Sequence, residues 1–295
     1  MNKERNICIV GLGLLGGSYA MGLTDAGYTV TAVDVRPEAI RYALEKGIIA
    51  AGAVEDFASL LAGADAVVLG LYPHALVDWL RNNQKHLKPG ALLTDVCGVK
   101  SGVVEEIQGF LRPDAEFIAS HPMAGKETSG IFHADGALFR GAHYILTPDA
   151  DVPQESIHLL EQLVTFMGCA DVVFSDPAAH DERIAYTSQL MHVMALALCD
   201  QHLLFDSYGF EGGSFRGATR VAALDPKLWC ELFWANRETL ADLTDELIER
   251  LSEYSALLHG GDRAALLERL TVSSDRKKKF DTLRGLDESQ KPLFK

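Results

Sequence analysis

The chain has 295 residues, enough for one large or two ordinary domains whose cores need no covalent staples. It is 48% hydrophobic and 23% charged, with a mean hydropathy of +0.06, 26 Gly and 10 Pro, which excludes disorder, collagen-like repeats and low-complexity architecture. Twenty-seven Lys and Arg against 41 Asp and Glu leave a net charge of −14, which disfavours nucleic acid and anionic membrane surfaces as partners; a small anion would need a local positive site.

Residues 6–24 carry no charge, yet Gly11, Gly13, Gly16, Gly17 and Gly22 interrupt them and no small-residue cleavage site precedes Asp25. The stretch therefore reads as strand, glycine turn and helix rather than a signal peptide or membrane span. The five cysteines, Cys8, Cys97, Cys169, Cys199 and Cys230, are odd in number and never spaced as CxxC. Neither a disulfide framework nor a metal site is expected, and a reducing cytoplasm fits best.

In chain order, residues 7–10, 29–33, 66–71, 91–94, 116–119, 144–147 and 171–174 read as strands, with helical patterns between them at 37–46, 73–87 and 153–167. This alternation implies βαβ units and a mostly parallel, doubly wound sheet of the Rossmann type. After Ser175 the apolar period changes to three and four. Residues 176–205 and 226–258 read as long helices separated by a glycine-rich break at 209–217, and Asp225-Pro226 supplies an N-cap and first-turn residue. The expected division is a nucleotide domain over residues 1–175 and an all-helical substrate-binding and dimerisation domain over residues 176–295. The tail from Asp275, with a run of basic residues at 276–279, reads as a solvated terminal segment.

Gly11-Leu12-Gly13-Leu14-Leu15-Gly16 is a GxGxxG motif placed directly after a predicted strand and opening a predicted helix. The first glycine permits the tight turn, the second admits a pyrophosphate to the backbone, and the third lets helix and strand pack. Asp34 ends the next strand about 20 residues on, where an acid meets the ribose hydroxyls of NAD and repels the 2′-phosphate of NADP. Arg36 beside it is a cofactor-site residue or a surface arginine. Farther along, His121 follows the strand at 116–119. It is expected outside the carboxyl edge of the sheet, where a group titrating near neutrality can take the proton that an alcohol loses with its hydride.

These segments together, GLGLLGGS (11–18), DVCGVK (95–100), HPMAGKETSG (121–130), HDERIAYTSQLMH (180–192) and FRGATRVA (215–222), resemble the prephenate/arogenate dehydrogenase family over nearly the whole chain. The resemblance implies NAD-dependent oxidation of a ring hydroxyl at C4, with loss of carbon dioxide and aromatisation. It makes His121 the catalytic base and His192 a substrate contact. Arg220 becomes the clamp on a substrate carboxylate, with Arg216 one turn earlier assisting. Glu127 matches an acid at the cleft mouth, Lys126 a possible aid to anion capture, and Trp229 a family position that core packing explains equally well. A homodimer through the helices is implied too. Gly98 stands where relatives carry a serine that orients the base; Ser120, Ser101, Cys97 or a water are the open replacements. Gln189 stands where some relatives have histidine. Two other readings are weighed: a β-hydroxyacid or 6-phosphogluconate-type dehydrogenase, which lacks its expected lysine in the stretch 209–217, and a non-catalytic NAD-sensing protein.

Overall fold

The computed structural model describes residues 5–283. Strand and helix alternate as β1 (Asn6–Val10), α1 (Leu14–Asp25), β2 (Thr29–Val33), α2 (Pro37–Glu45), β3 (Ala51–Ala53), α3 (Ala58–Ala62), β4 (Ala66–Leu69), α4 (Pro73–Asn83), β5 (Leu92–Asp95), α5 (Ser101–Gln108), β6 (Glu116–Pro122), β7 (His143–Thr147), α6 (Gln154–Phe166), β8 (Asp171–Phe174) and α7 (Pro177–Ile184). The strands form one sheet in the order β3-β2-β1-β4-β5-β6-β7-β8, parallel throughout except where β6 meets β7. Strand order reverses between β1 and β4, and the crevice beyond their carboxyl ends is where such sheets bind ligands.

Continuous apolar runs build the central strands because both faces are covered. Within β1 alternate residues part company: Ile7 and Ile9 pack with Tyr19 and Leu23 of α1, while Cys8 and Val10 pack with Leu76 and Leu80 of α4 and Ile107 of α5. Side chains of period two on a strand allow one segment to serve two cores.

The structure departs from the predicted strands at β3 and β6. Strand β3, Ala-Gly-Ala, carries no β-branched or aromatic residue and so gave no strand signal. Strand β6 continues past residue 119, because antiparallel pairing with β7 sets His121 opposite Ile145 and Pro122 opposite Tyr144. His121 is thus the penultimate residue of a strand rather than part of a loop beyond it.

The long helices are also interrupted. Residues 176–205 resolve into α7, a π-helical turn (Ala185–Gln189) and α8 (Leu190–Cys199); α9 (Gly213–Thr219) follows. Asp225 caps α10 (Pro226–Ala235) by accepting from the backbone N–H groups of Lys227 and Leu228 at 2.9 and 3.3 Å. The predicted helix 226–258 breaks at Asn236, which leaves helical geometry (ψ 23°) while its side-chain amide donates to the Asp181 carbonyl at 2.8 Å. Helices α11 (Arg237–Gly260) and α12 (Arg263–Leu283) complete the described chain, and the basic run at 276–279 is helical. Residues 284–295 of the expected tail lie outside the described residues.

Two compact units result: the chain through Ile184 with Leu224–Asn236, and Ala185–Ala223 with the chain from Arg237 onward. The second unit leaves Ile248, Leu251 and Leu258 of α11 and Leu267, Leu270 and Phe280 of α12 exposed. No helix among the described residues is long and apolar enough to cross a membrane.

Candidate active site

Two constellations lie in the first unit. The first is the turn between β1 and α1. Gly11 has φ +90°, and a Cβ there would come within 2.6 Å of the Gly70 carbonyl oxygen. A Cβ on Gly16 would lie 1.9 Å from the Gly11 carbonyl oxygen, so helix and turn touch backbone to backbone. Gly13, by contrast, faces open space and caps α1 without any side-chain hydrogen bond. An open glycine at an uncapped helix start suits an approaching phosphate, and the Leu14 and Leu15 amides lie in that first turn.

Asp34 is buried at the end of β2 and closes this turn. One carboxylate oxygen accepts from Leu12 N–H at 2.6 Å; the other accepts from Arg36 N–H at 2.8 Å and from Arg36 Nε at 3.2 Å. Arg36 Nη2 also donates to the Leu12 carbonyl at 3.0 Å. Arg36 is therefore a brace tying the acid to the glycine turn, and hydrogen bonding to Asp34 raises its pKa further.

The second constellation gathers at the ends of β5 and β6. Asp95 and Lys100 are wholly buried and ion-paired at 2.6 Å, and Lys100 Nζ also donates to the Cys97 carbonyl at 2.9 Å. The other Asp95 oxygen accepts from Ser120 N–H at 2.8 Å, which ties β5 to the residue before His121. Ser120 Oγ reaches Tyr144 Oη at 2.9 Å, and Tyr144 hydrogen-bonds Tyr19. Burial pushes the Tyr144 phenol well above its usual range, so this network stays protonated and neutral.

His121 Nδ1 lies 3.0 Å from His180 Nε2, and His180 Nδ1 lies 2.8 Å from the Asp181 carboxylate. Asp181 in turn accepts from the backbone N–H groups of Lys100 and Ser101, each at 2.8 Å. Burial raises the Asp181 pKa, but the hydrogen bonds from His180 and Ser101 outweigh it and hold the carboxyl below its usual range. Burial, then the neighbouring His180 and Lys100, push His121 well below 6.5. At neutral pH His121 is an uncharged base. His180, Asp181, Lys100 and Asp95 were not singled out from sequence although they stand within the HDERI and DVCGVK segments; no spacing rule links residue 121 to residue 180, which meet only through the fold.

Of the remaining predicted residues, Lys126 and Glu127 are exposed on the loop after β6, where Lys126 pairs with Asp135 at 3.2 Å. Trp229 packs edge-on against Phe233 at 5.5 Å within α10, in the cluster that Leu232 joins. In the second unit, α8 packs against α9 and the turn at 220–222, so His192, Arg216 and Arg220 share one helical cluster. Arg220 keeps helical backbone angles at the end of α9, which leaves Arg216 and Arg220 one turn apart on one face. His192 Nδ1 donates to the Ser188 carbonyl at 2.9 Å, and burial pulls its pKa down. His192 is thus a neutral hydrogen-bonding group and not the positive charge that an anion site would add.

Residues 20–173 match the family model described as prephenate dehydrogenase, nucleotide-binding domain, and residues 176–272 match prephenate dehydrogenase, dimerization domain. A prephenate dehydrogenase of Lactococcus lactis subsp. cremoris is 30% identical over 277 residues, covering 89% of this chain and 73% of that protein. The crystal structure of Aquifex aeolicus prephenate dehydrogenase with hydroxyphenyl propionate and NAD+ superposes with a TM-score of 0.85 at 27% identity, covering 94% of this chain and 98% of that one. The Synechocystis arogenate dehydrogenase structure gives a TM-score of 0.79 at 26% identity, covering 93% and 99%. A glycine turn built for a dinucleotide, a half-buried neutral histidine at the sheet's carboxyl edge and a match to both family domains lead to one conclusion: the chain belongs to the prephenate dehydrogenase family.

Proposed function

We propose that the protein oxidises prephenate with NAD and releases carbon dioxide, forming 4-hydroxyphenylpyruvate. The observation that carries this reading is His121, a half-buried histidine kept neutral and anchored through Nδ1, in a chain of this family. Bound NAD supplies the hydride acceptor. Gly11, Gly13 and Gly16, with the Leu14 and Leu15 amides, suit its pyrophosphate; Asp34, braced by Arg36, suits its ribose.

His121 takes the proton of the C4 hydroxyl as the C4 hydride leaves, so the carbinol becomes a ring ketone. That ketone is a vinylogous electron sink for the carboxylate carbon–carbon bond; aromatisation drives carbon dioxide off, and little is asked of the protein at this step. Arg220, with Arg216 beside it, binds a substrate carboxylate, a task suited to planar, permanently charged forks. His192 contributes a hydrogen bond. Lys126 and Glu127 flank the mouth of the site. We place the division between the cofactor domain and the substrate and dimerisation domain near residue 175, where the run of helices begins, with α7 and α10 packed into the first compact unit; the exposed apolar rows of α11 and α12 support a homodimer. Five free cysteines support a reducing cytoplasm.

The likeness to an arogenate dehydrogenase favours one second reading, oxidation of arogenate to tyrosine. Both are tested by following NADH absorbance with each substrate in turn. A prephenate-dependent rise is expected; NAD binding without a rise on either substrate would replace the enzyme reading with that of a nucleotide sensor. Light scattering on a size-exclusion column is expected to give a dimer mass, and a monomer would remove the dimer.

A further inference from the structure

We infer that His180 and Asp181 are positioning residues that hold His121 in its Nδ1–H tautomer and so aim the Nε2 lone pair at the reacting hydroxyl. The inference starts at the far end of the chain of hydrogen bonds. The Asp181 carboxylate can only accept, and the backbone N–H groups of Lys100 and Ser101, where α5 begins, pin both of its oxygens at 2.8 Å. The ring nitrogen 2.8 Å from Asp181 Oδ1, His180 Nδ1, must then carry a hydrogen. A neutral imidazole has a single N–H, so His180 presents a lone pair at Nε2. The group 3.0 Å from that lone pair, His121 Nδ1, is therefore the donor, which leaves His121 Nε2 as the acceptor. One carboxylate sets the polarity of two rings in series.

The alternative assignment requires His180 to be an imidazolium. Its side chain is fully buried, Asp181 already serves two backbone donors, and the Lys100 ammonium lies in the same pocket, so a second cation there is disfavoured. A Cβ added to Gly98 would stand 3.9 Å from His121 Cε1 and 3.5 Å from a Leu232 methyl group.

The consequence for turnover rests on the proposed oxidation, whereas the tautomer does not, so the two are measured separately. Long-range proton–nitrogen NMR on protein labelled with 15N-histidine, with His121→Asn identifying the signals of residue 121, is expected to show Nδ1 protonated and Nε2 bare. A protonated Nε2 on His121, or a doubly protonated His180, would overturn the inference. In kinetics, His180→Leu is expected to lower kcat about 10²–10³-fold while the Kd for NAD and the KM for prephenate stay within about twofold. His180→Gln, whose side-chain carbonyl can accept from Nδ1, is expected to recover kcat to within about tenfold of the parent enzyme. Equal losses in the two variants, or an unchanged kcat in His180→Leu, would also overturn it. The tautomer is read on the parent protein and holds even if His180→Leu or His180→Gln fails to fold. Should the parent protein show the expected tautomer yet oxidise neither prephenate nor arogenate, the proposed function falls and the positioning role of the pair stands.

Discussion

Charged groups are treated in opposite ways in the two units. In the first, Lys100 and Asp95 are wholly buried and paired, and Asp181 is held by two backbone amides and a histidine. In the second, Arg216 and Arg220 stand exposed on one short helical segment. The difference fits the roles proposed for the two sets. A base whose pKa is set by its surroundings needs neighbours that cannot move, and desolvated charges are stable only when paired. Groups that meet a dissolved anion must remain within its reach, and a permanently charged guanidinium needs no tuning. Burial makes the chemistry of the first unit exact and also fragile, whereas the arginines of the second are tolerant of their surroundings.

The comparison can be broken first at its buried end. His121→Asn is expected to lower kcat about 10²–10⁴-fold while the Kd for NAD, followed by fluorescence titration, stays unchanged; retained turnover would remove His121 from the chemistry. Lys100→Met should instead act on stability, because it strands the Asp95 carboxylate without its partner. Urea denaturation is expected to register a loss of about 3–5 kcal/mol, and a change below about 1 kcal/mol would mean that the pocket admits water to Asp95.

At the exposed end the signature is in binding. Arg220→Ala is expected to raise the KM for prephenate about 10–100-fold, in keeping with charge-assisted hydrogen bonds of about 1.5–3 kcal/mol. Arg220→Lys should recover little, since a point charge cannot bind a carboxylate through two parallel bonds. The smallest change is expected from Lys126→Ala, whose partner Asp135 is also exposed: KM and kcat should both stay within about twofold.

pH offers a fourth measurement. Burial, His180 on α7 and Lys100 before α5 lower the His121 pKa from 6.5, while the negative charges in the pocket, Asp181 and Asp95, are each already paired. The acid limb of kcat/KM is therefore expected below pH 6.5. The sign for stability is the same: below pH 6.5 the unfolded chain takes up a proton that folded His121 refuses, so this residue erodes stability as pH falls through that window and is without effect above it. An acid limb at or above 6.5 would show that His121 is solvated.

The nucleotide turn was legible in the sequence because each of its requirements is local: a strand of apolar residues, glycines at set spacings, and an acid at the next strand end. The helix cap at Asp225-Pro226 was legible for the same reason. The break at Asn236 was not, since it depends on the Asp181 carbonyl, 55 residues away. Nor was the extension of β6 through His121, which required β7 to pair with it in the antiparallel sense.

The sequence by itself thus determined the doubly wound sheet and the dinucleotide turn, through patterns of short range set by backbone geometry and side-chain periodicity, and it put forward His121, the histidine proposed as the base. Tertiary structure alone decided what surrounds that histidine. His180 and Asp181 lie 59 and 60 positions farther along the chain, and the Lys100 and Asp95 pair precedes it by more than 20 residues. Residue type states what a group can donate or accept, but whether it is dehydrated and what faces it are properties of the folded interior.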